Sequence, residues 1–143
     1  FGRLRKAIGD QPDMRVEGDR FVFQSEVLFE SGSAEIGDDG KRQLAQLART
    51  LHIISRDIPN ELDWVLRVDG HTDRRAINNA QYPSNWELST ARALMVVRFL
   101  IGQGVPPYRL AATGFGEFQP LDPGDDEIAY RRNRRIEFKL TQK

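Results

Sequence analysis

Residues 62–73 read LDWVLRVDGHTD and residues 84–103 read SNWELSTARALMVVRFLIGQ, and the change of period between them decides the fold. In the first stretch Leu62, Trp64, Leu66 and Val68 fall on one side and Asp63, Arg67 and Asp69 on the other, the alternation of a strand buried on one face. Gly70 is expected to stop that strand, and His71-Thr72-Asp73 to form the turn after it. In the second, Ser84-Asn85-Trp86-Glu87 offers Ser-x-x-Glu, a capping box in which each side chain satisfies an orphan backbone donor at a helix start. That helix is expected to run to about Gln103, with Gly102 and Gly104 as exit signals. A polar loop, residues 74–83, joins strand to helix.

Working outward, residues 38–55 carry Leu44, Leu47, Leu51 and Ile54 at helical spacing, with Asp38 available as N-cap. Ile58-Pro59-Asn60 ends this helix, because proline disfavours helical geometry in the residue before it. Upstream, MRVEGDRFVFQ (residues 14–24) alternates around Gly18-Asp19 and predicts a hairpin with Phe21 and Phe23 inward. A Gly/Ser-rich turn follows Phe29. Downstream, a strand is expected over residues 109–113, then a turn-rich stretch, GFGEFQPLDPGDDE (residues 114–127). A last strand sets Ile136, Phe138 and Leu140 against Arg135, Glu137 and Lys139. Residues 1–10 place Phe1, Leu4 and Ile8 at helical spacing and reach a stop at Gly9. The order ββαβαβ predicts an α/β two-layer sandwich, a small mixed β-sheet with helices packed on one face. Residues 1–18 read as the end of a linker helix and the hairpin lead-in, and residues 19–143 as one domain.

Composition bounds the function. A length of 143 residues is that of one domain, and 39% apolar residues suffice for a core. The 21 Lys plus Arg cancel the 21 Asp plus Glu, so no overall field favours nucleic acid or an anionic membrane. Cysteine is absent and His52 and His71 are the two imidazoles, which removes disulfides, thiol nucleophiles and Cys-based zinc sites. The longest apolar stretch, residues 94–101, is broken by Arg98 and falls far short of the roughly 18 residues of a membrane span.

Arg92 is the most informative residue. Leu88, Met95 and Phe99 form an apolar stripe on the second long helix, and Arg92 lies within it. An unpaired buried guanidinium is costly, so Arg92 needs an anion or a path to water. Spacing alone leaves two readings: a structural salt bridge or snorkelling stem, and an anion receptor. Asp73, directly after a strand end, is an ordinary turn aspartate taken alone. Together the two supply opposite charges at one pocket mouth, which suits a zwitterion. His71 and Asp73 have no further His or Cys beside them, so no metal or cofactor is expected. No nucleophile elbow surrounds Ser84 or Ser89, and Gly114-Phe115-Gly116 lacks the context of a dinucleotide loop. The basic run at residues 131–135 is expected to be neutralised by Asp122, Asp125, Asp126 and Glu127.

Four ordered blocks, Gly70-His71-Thr72-Asp73, residues 84–93 (SNWELSTARA), Gly114-Phe115-Gly116 and residues 133–138 (NRRIEF), resemble the OmpA-like peptidoglycan-binding domain family. The resemblance spans roughly residues 20–140. The long loop and YPSNWELSTARA look most like its MotB branch, which belongs to flagellar motors. The resemblance implies a βαβαβ core and non-catalytic binding of peptidoglycan through meso-diaminopimelate of the stem peptide, with no enzyme activity. By position, Asp73, in the turn with Thr72, would hold the ammonium of that residue and Arg92 its carboxylate. Asn85 would orient the loop or donate to the ligand, Leu88 would form an apolar wall, and Arg134 would lie near the rim. Glu30 and Ser31 occupy the place of the pair whose backbone N–H groups help bind. Two departures bear on pocket shape: Arg74-Arg75 after the GHTD turn, where a small or acidic residue is usual, and a longer loop from Asp73 to Asn85. The resemblance further implies a periplasmic domain of a Gram-negative envelope, tethered to the inner membrane by sequence upstream of Phe1, and the apparent linker helix points to a homodimer. The alternative is an envelope protein-interaction domain of the same fold with no cell-wall ligand.

Overall fold

The computed structural model describes residues 14–17, 20–30, 32–56, 58, 62–75 and 79–142. The helix expected at residues 1–10, the Gly18-Asp19 turn, Ser31 and the Pro59-Asn60 stop lie outside them. Strands β1 (Met14–Glu17) and β2 (Arg20–Gln24) form the expected hairpin, with Glu17 paired to Arg20. A one-turn helix, α1 (Ser25–Leu28), and the long α2 (Asp38–Ser55) follow, then β3 (Trp64–His71) and α3 (Asn85–Gly102). A 3-10 turn (Pro107–Arg109) leads into β4 (Leu110–Gly114), and α4 (Glu127–Asn133) into β5 (Arg135–Gln142). The sheet is mixed, in the order β1-β2-β5-β3-β4, with β3 and β4 parallel and the other pairs antiparallel.

Register explains which side is oily. Phe21 pairs with Phe138, Phe23 with Ile136, and Val68 with Phe138, so these side chains share one face. They are fully buried there against Leu28, Leu44, Leu47, Val96 and Leu100 from the helices. The expected sandwich with helices on one face of a small sheet is therefore what forms. Its boundaries differ in detail. Leu62, expected to start the strand facing inward, is exposed ahead of β3, and Gly70 does not stop the strand, which runs to His71. Gly37, rather than Asp38, accepts the first helical bond of α2 through its carbonyl, from Lys41 at 2.9 Å. Asp38 and Asp39 lie instead in the first turn, where negative charge suits the helix dipole. On α3 the deepest residues are Ser89, Ala93, Val96 and Leu100, so the stripe Leu88-Arg92-Met95-Phe99 is the shoulder of the buried face. The helix ends as expected. Gly104 takes φ +98°, and Gly104 N–H and Val105 N–H return to Ile101 and Leu100 carbonyls, a Schellman closure.

The absence of side chains at two glycines lets α3 lie down on β3 and β4. A Cβ on Gly70 would overlap the backbone carbonyl of Ser89, and one on Gly114 would come 2.7 Å from the backbone nitrogen of Thr90. Neither contact can be relieved by turning a side chain, because the obstacle is helix backbone. Gly70→Ala is expected to cost about 1–3 kcal/mol by overpacking. A urea midpoint shifted down with unchanged m-value is the expected readout; an unchanged midpoint would show that α3 can lift freely. Among the described residues, no helix is long and apolar enough to cross a membrane.

Candidate functional site

Where β3 ends and α3 begins, the chain must reverse at the end of an interior strand, and buried polar groups hold the turn. Thr72 N–H donates to the Gly116 carbonyl at 2.9 Å, and Gly116 N–H to Ser89 Oγ at 2.9 Å. Ser84 caps α3, its Oγ accepting from Trp86 N–H at 3.2 Å, so the expected N-cap forms; the reciprocal half of the capping box does not, because the Glu87 carboxylate accepts from the Ser84 hydroxyl rather than from a backbone N–H. Asn85, first in the helix, donates from Nδ2 to the carbonyls of Asp73 at 3.3 Å and Arg75 at 3.1 Å, and to Glu117 at 3.1 Å. It thus pins the loop that carries Asp73, and its amide has no spare donor.

Against this turn lies a cavity of about 560 Å³. Asp73, Arg92, Asn85, Thr72, Leu88, Glu30 and Arg134 all line it, and Ser31, the eighth residue singled out in the sequence, lies outside the described residues. Sequence reading missed Ser25, Glu26 and Phe29 from the opposite wall, and noted Arg75 as a departure without placing it there. A single-turn helix, α1, brings Ser25 and Glu26 to the site, and four residues carry no periodic signal.

Arg92 is buried, with 6% of its surface exposed. Its Nε donates to the Ser33 carbonyl at 2.8 Å, and its guanidinium carbon lies 5.2 Å from the centroid of the Phe29 ring. Among the described residues no carboxylate lies within ion-pairing distance of it. Burial lowers its affinity for its proton, with Glu26 and Tyr82 opposing. The structural salt bridge considered from spacing is therefore not what forms; Arg92 faces the cavity as a cation held by one carbonyl and an aromatic face.

Asp73 is the opposite case. Its Oδ2 accepts from Arg75 Nη2 at 2.8 Å and Arg134 Nη1 at 2.8 Å, while its Oδ1 accepts from Arg75 N–H at 2.9 Å. Burial alone would push this carboxyl upward, but the bonds from Arg75 and Arg134 hold it below the usual carboxylate range, so it is ionised at neutral pH. Arg134 also grips Glu26 at 2.7 Å and Glu127 at 3.2 Å; burial notwithstanding, those partners hold its proton more tightly than usual. Its place is set by α4, a helix that the sequence reading missed. Asp126 caps α4 by accepting from Ala129 N–H at 2.8 Å, with Glu127 in the first turn and Arg131 and Arg132 in the last. That charge order was the available signal. The expected neutralisation of the basic run holds in part: Arg132 meets Asp122 at 3.3 Å, and Arg134 meets Glu127, while Asp125 pairs with Arg74.

The other face of the sheet, the polar side of the β3 alternation, is buried at one end. Asp69, His71, Arg135 and Glu137 are all buried there. Phe115 stacks on His71 with ring centroids 4.9 Å apart, and Arg135 donates to the carbonyls of Gln119 at 2.8 Å and Asn133 at 3.1 Å. So the segment after β4 folds over this face. One ligand atom each from Asp69, His71 and Glu137 falls within 4.8 Å of the others, a spacing that a metal could use. Arg67, however, chelates Asp69 at 2.8 and 2.9 Å, and Arg135 and Arg20 hold Glu137 at 2.5 and 3.4 Å. Three guanidiniums already outnumber the two carboxylates, so the cluster is a closed ionic network that repels a further cation.

A model of the OmpA family matches residues 28–134. The chain belongs to the OmpA family. The peptidoglycan-associated lipoprotein of Pseudomonas aeruginosa is 35% identical over 91 residues, 64% of this chain and 51% of that protein. Among solved structures, a putative MotB-like protein from Desulfovibrio vulgaris superposes with TM-score 0.80 at 31% identity, covering 99% of this chain and 91% of that one. The cell wall anchor of the type VI secretion system from P. aeruginosa superposes with TM-score 0.80 at 29% identity, covering 98% and 97%. The chain spans about half the length of the curated relatives it matches. Members of the OmpA family are structural, non-catalytic domains of the cell envelope.

Proposed function

We propose that this OmpA-family domain binds peptidoglycan without catalysis, through the meso-diaminopimelate of the stem peptide, and anchors an envelope or motor complex to the cell wall. One observation carries the reading: a buried guanidinium without a carboxylate partner and an ionised carboxylate line the same cavity without touching each other. A zwitterionic amino-acid end fits that arrangement, its carboxylate on Arg92 and its ammonium on Asp73. Leu88, buried beside them, offers the methylene chain an apolar wall. The names of the lipoprotein and of the secretion-system anchor support the same ligand class. A periplasmic location, a tether to the inner membrane and a dimer belong to this proposal.

Each charge-assisted contact is worth roughly 1.5–3 kcal/mol, so two give a modest affinity at one site. Many copies along one polymer hold far better through effective concentration. The test is co-sedimentation with purified sacculi. The domain is expected to pellet with them and to be released by free stem tripeptide ending in meso-diaminopimelate. Retention indifferent to that tripeptide would remove the ligand assignment.

A further inference from the structure

Resting on that reading, we propose that Arg75 is a tethered competitor for the ammonium subsite and sets how tightly the domain holds its ligand. Asp73 Oδ2 faces two guanidiniums at once, from Arg75 and Arg134, each at 2.8 Å. A ligand ammonium needs one of those places. Arg134 cannot yield it, because it is mostly buried and tied to both Glu26 and Glu127. Arg75 can. Half of its side chain is exposed, its guanidinium lies 4.6 Å from the centroid of the Tyr130 ring, and its Nη1 is 3.7 Å from Glu127. Both of these partners lie off the carboxylate it would vacate, so the displaced guanidinium keeps a cation–π contact and an anion. The backbone N–H of Arg75 holds Asp73 Oδ1 whatever its side chain does, so the turn survives the exchange. Arg75 therefore acts as an internal stand-in for the ligand, neutralising Asp73 while the site is empty and taxing every ammonium that enters.

Replacing Arg75 by serine removes the competitor and keeps the backbone bond. Titration calorimetry with the stem tripeptide is expected to show Arg75→Ser binding roughly three- to fivefold tighter than wild type, the scale of an exposed ion pair. Arg74→Ser makes the same charge change at a residue paired with Asp125, and is expected to leave affinity unchanged. A ligand-free readout accompanies it: by carboxyl NMR, the Asp73 titration is expected to move up toward the ordinary range in Arg75→Ser, because one hydrogen-bonding cation is gone. Equal or weaker binding by Arg75→Ser, or an unmoved Asp73 titration, overturns the proposal alone. Failure of both proteins to bind the tripeptide overturns it together with the peptidoglycan reading.

Discussion

Arg92→Met is expected to lose tripeptide and sacculus binding by at least about thirtyfold while the fold keeps its stability or gains some. The two effects separate because of what surrounds the guanidinium. Removing one partner of a buried charge contact with ligand costs about 2–5 kcal/mol, much of it from the stranded opposite charge. In the free protein, however, Arg92 has no carboxylate partner among the described residues, and burial opposes its charge. Methionine fills a similar volume, lies well against Phe29 and Leu88, and gives up one hydrogen bond to Ser33. Arg92→Lys is expected to fall in between on binding, since an ammonium lacks the two-pronged geometry that meets a carboxylate. Binding is read by calorimetry and stability by thermal melting. A marked drop in melting temperature with intact binding by the folded fraction would make Arg92 structural, and would favour a protein-interaction domain.

Acid is expected to destabilise the domain through one buried imidazole. His71 is 4% exposed, and neither ring nitrogen has a hydrogen-bond partner among the described residues. Burial, then Arg135, Arg20 and Arg67, lowers its pKa from 6.5 to about 3. The unfolded chain therefore takes up a proton below pH 6.5 that the folded chain refuses until about pH 3, and stability drains as pH falls through that window. Between pH 7 and pH 5 this linkage amounts to about 2 kcal/mol. Asp69, raised by burial, acts with the opposite sign as it gains its proton in the folded state, and offsets part of the loss. Urea denaturation at the two pH values measures the net slope. His71→Phe keeps a ring against Phe115 and is expected to abolish the decline; an equal slope in wild type and variant would place its origin elsewhere.

How far the sequence reached follows from what each element needed. The strand through Val68 and the helices α2 and α3 announced themselves because one face of each meets the core, and periodicity records that directly. Arg92 stood out for the same reason, as a cation within an apolar stripe. Misreadings came where burial depends on segments distant in sequence. Asp69 alternates as a solvent-facing residue should, but the segment after β4 and the Arg67 and Arg20 side chains make that face an ionic layer. Gly70 looks like a stop signal, whereas its missing side chain serves contact with Ser89 while the strand continues. The bond from Arg134 to Asp73 joins residues 61 apart, and no local pattern encodes it.

The cavity's walls come from opposite ends of the chain. Glu26 and Arg134, 108 residues apart, are joined by their side chains, and Ser25 N–H donates to the Arg134 carbonyl at 2.9 Å. A guest seated between α1, Asp73 and Arg92 thus acts as a rivet through the first and last parts of the domain. With a guest bound as proposed, loosening of α1 or of the α4–β5 junction would dismantle its seat and occupancy would hold both in place, so grip and mechanical integrity would rise and fall together.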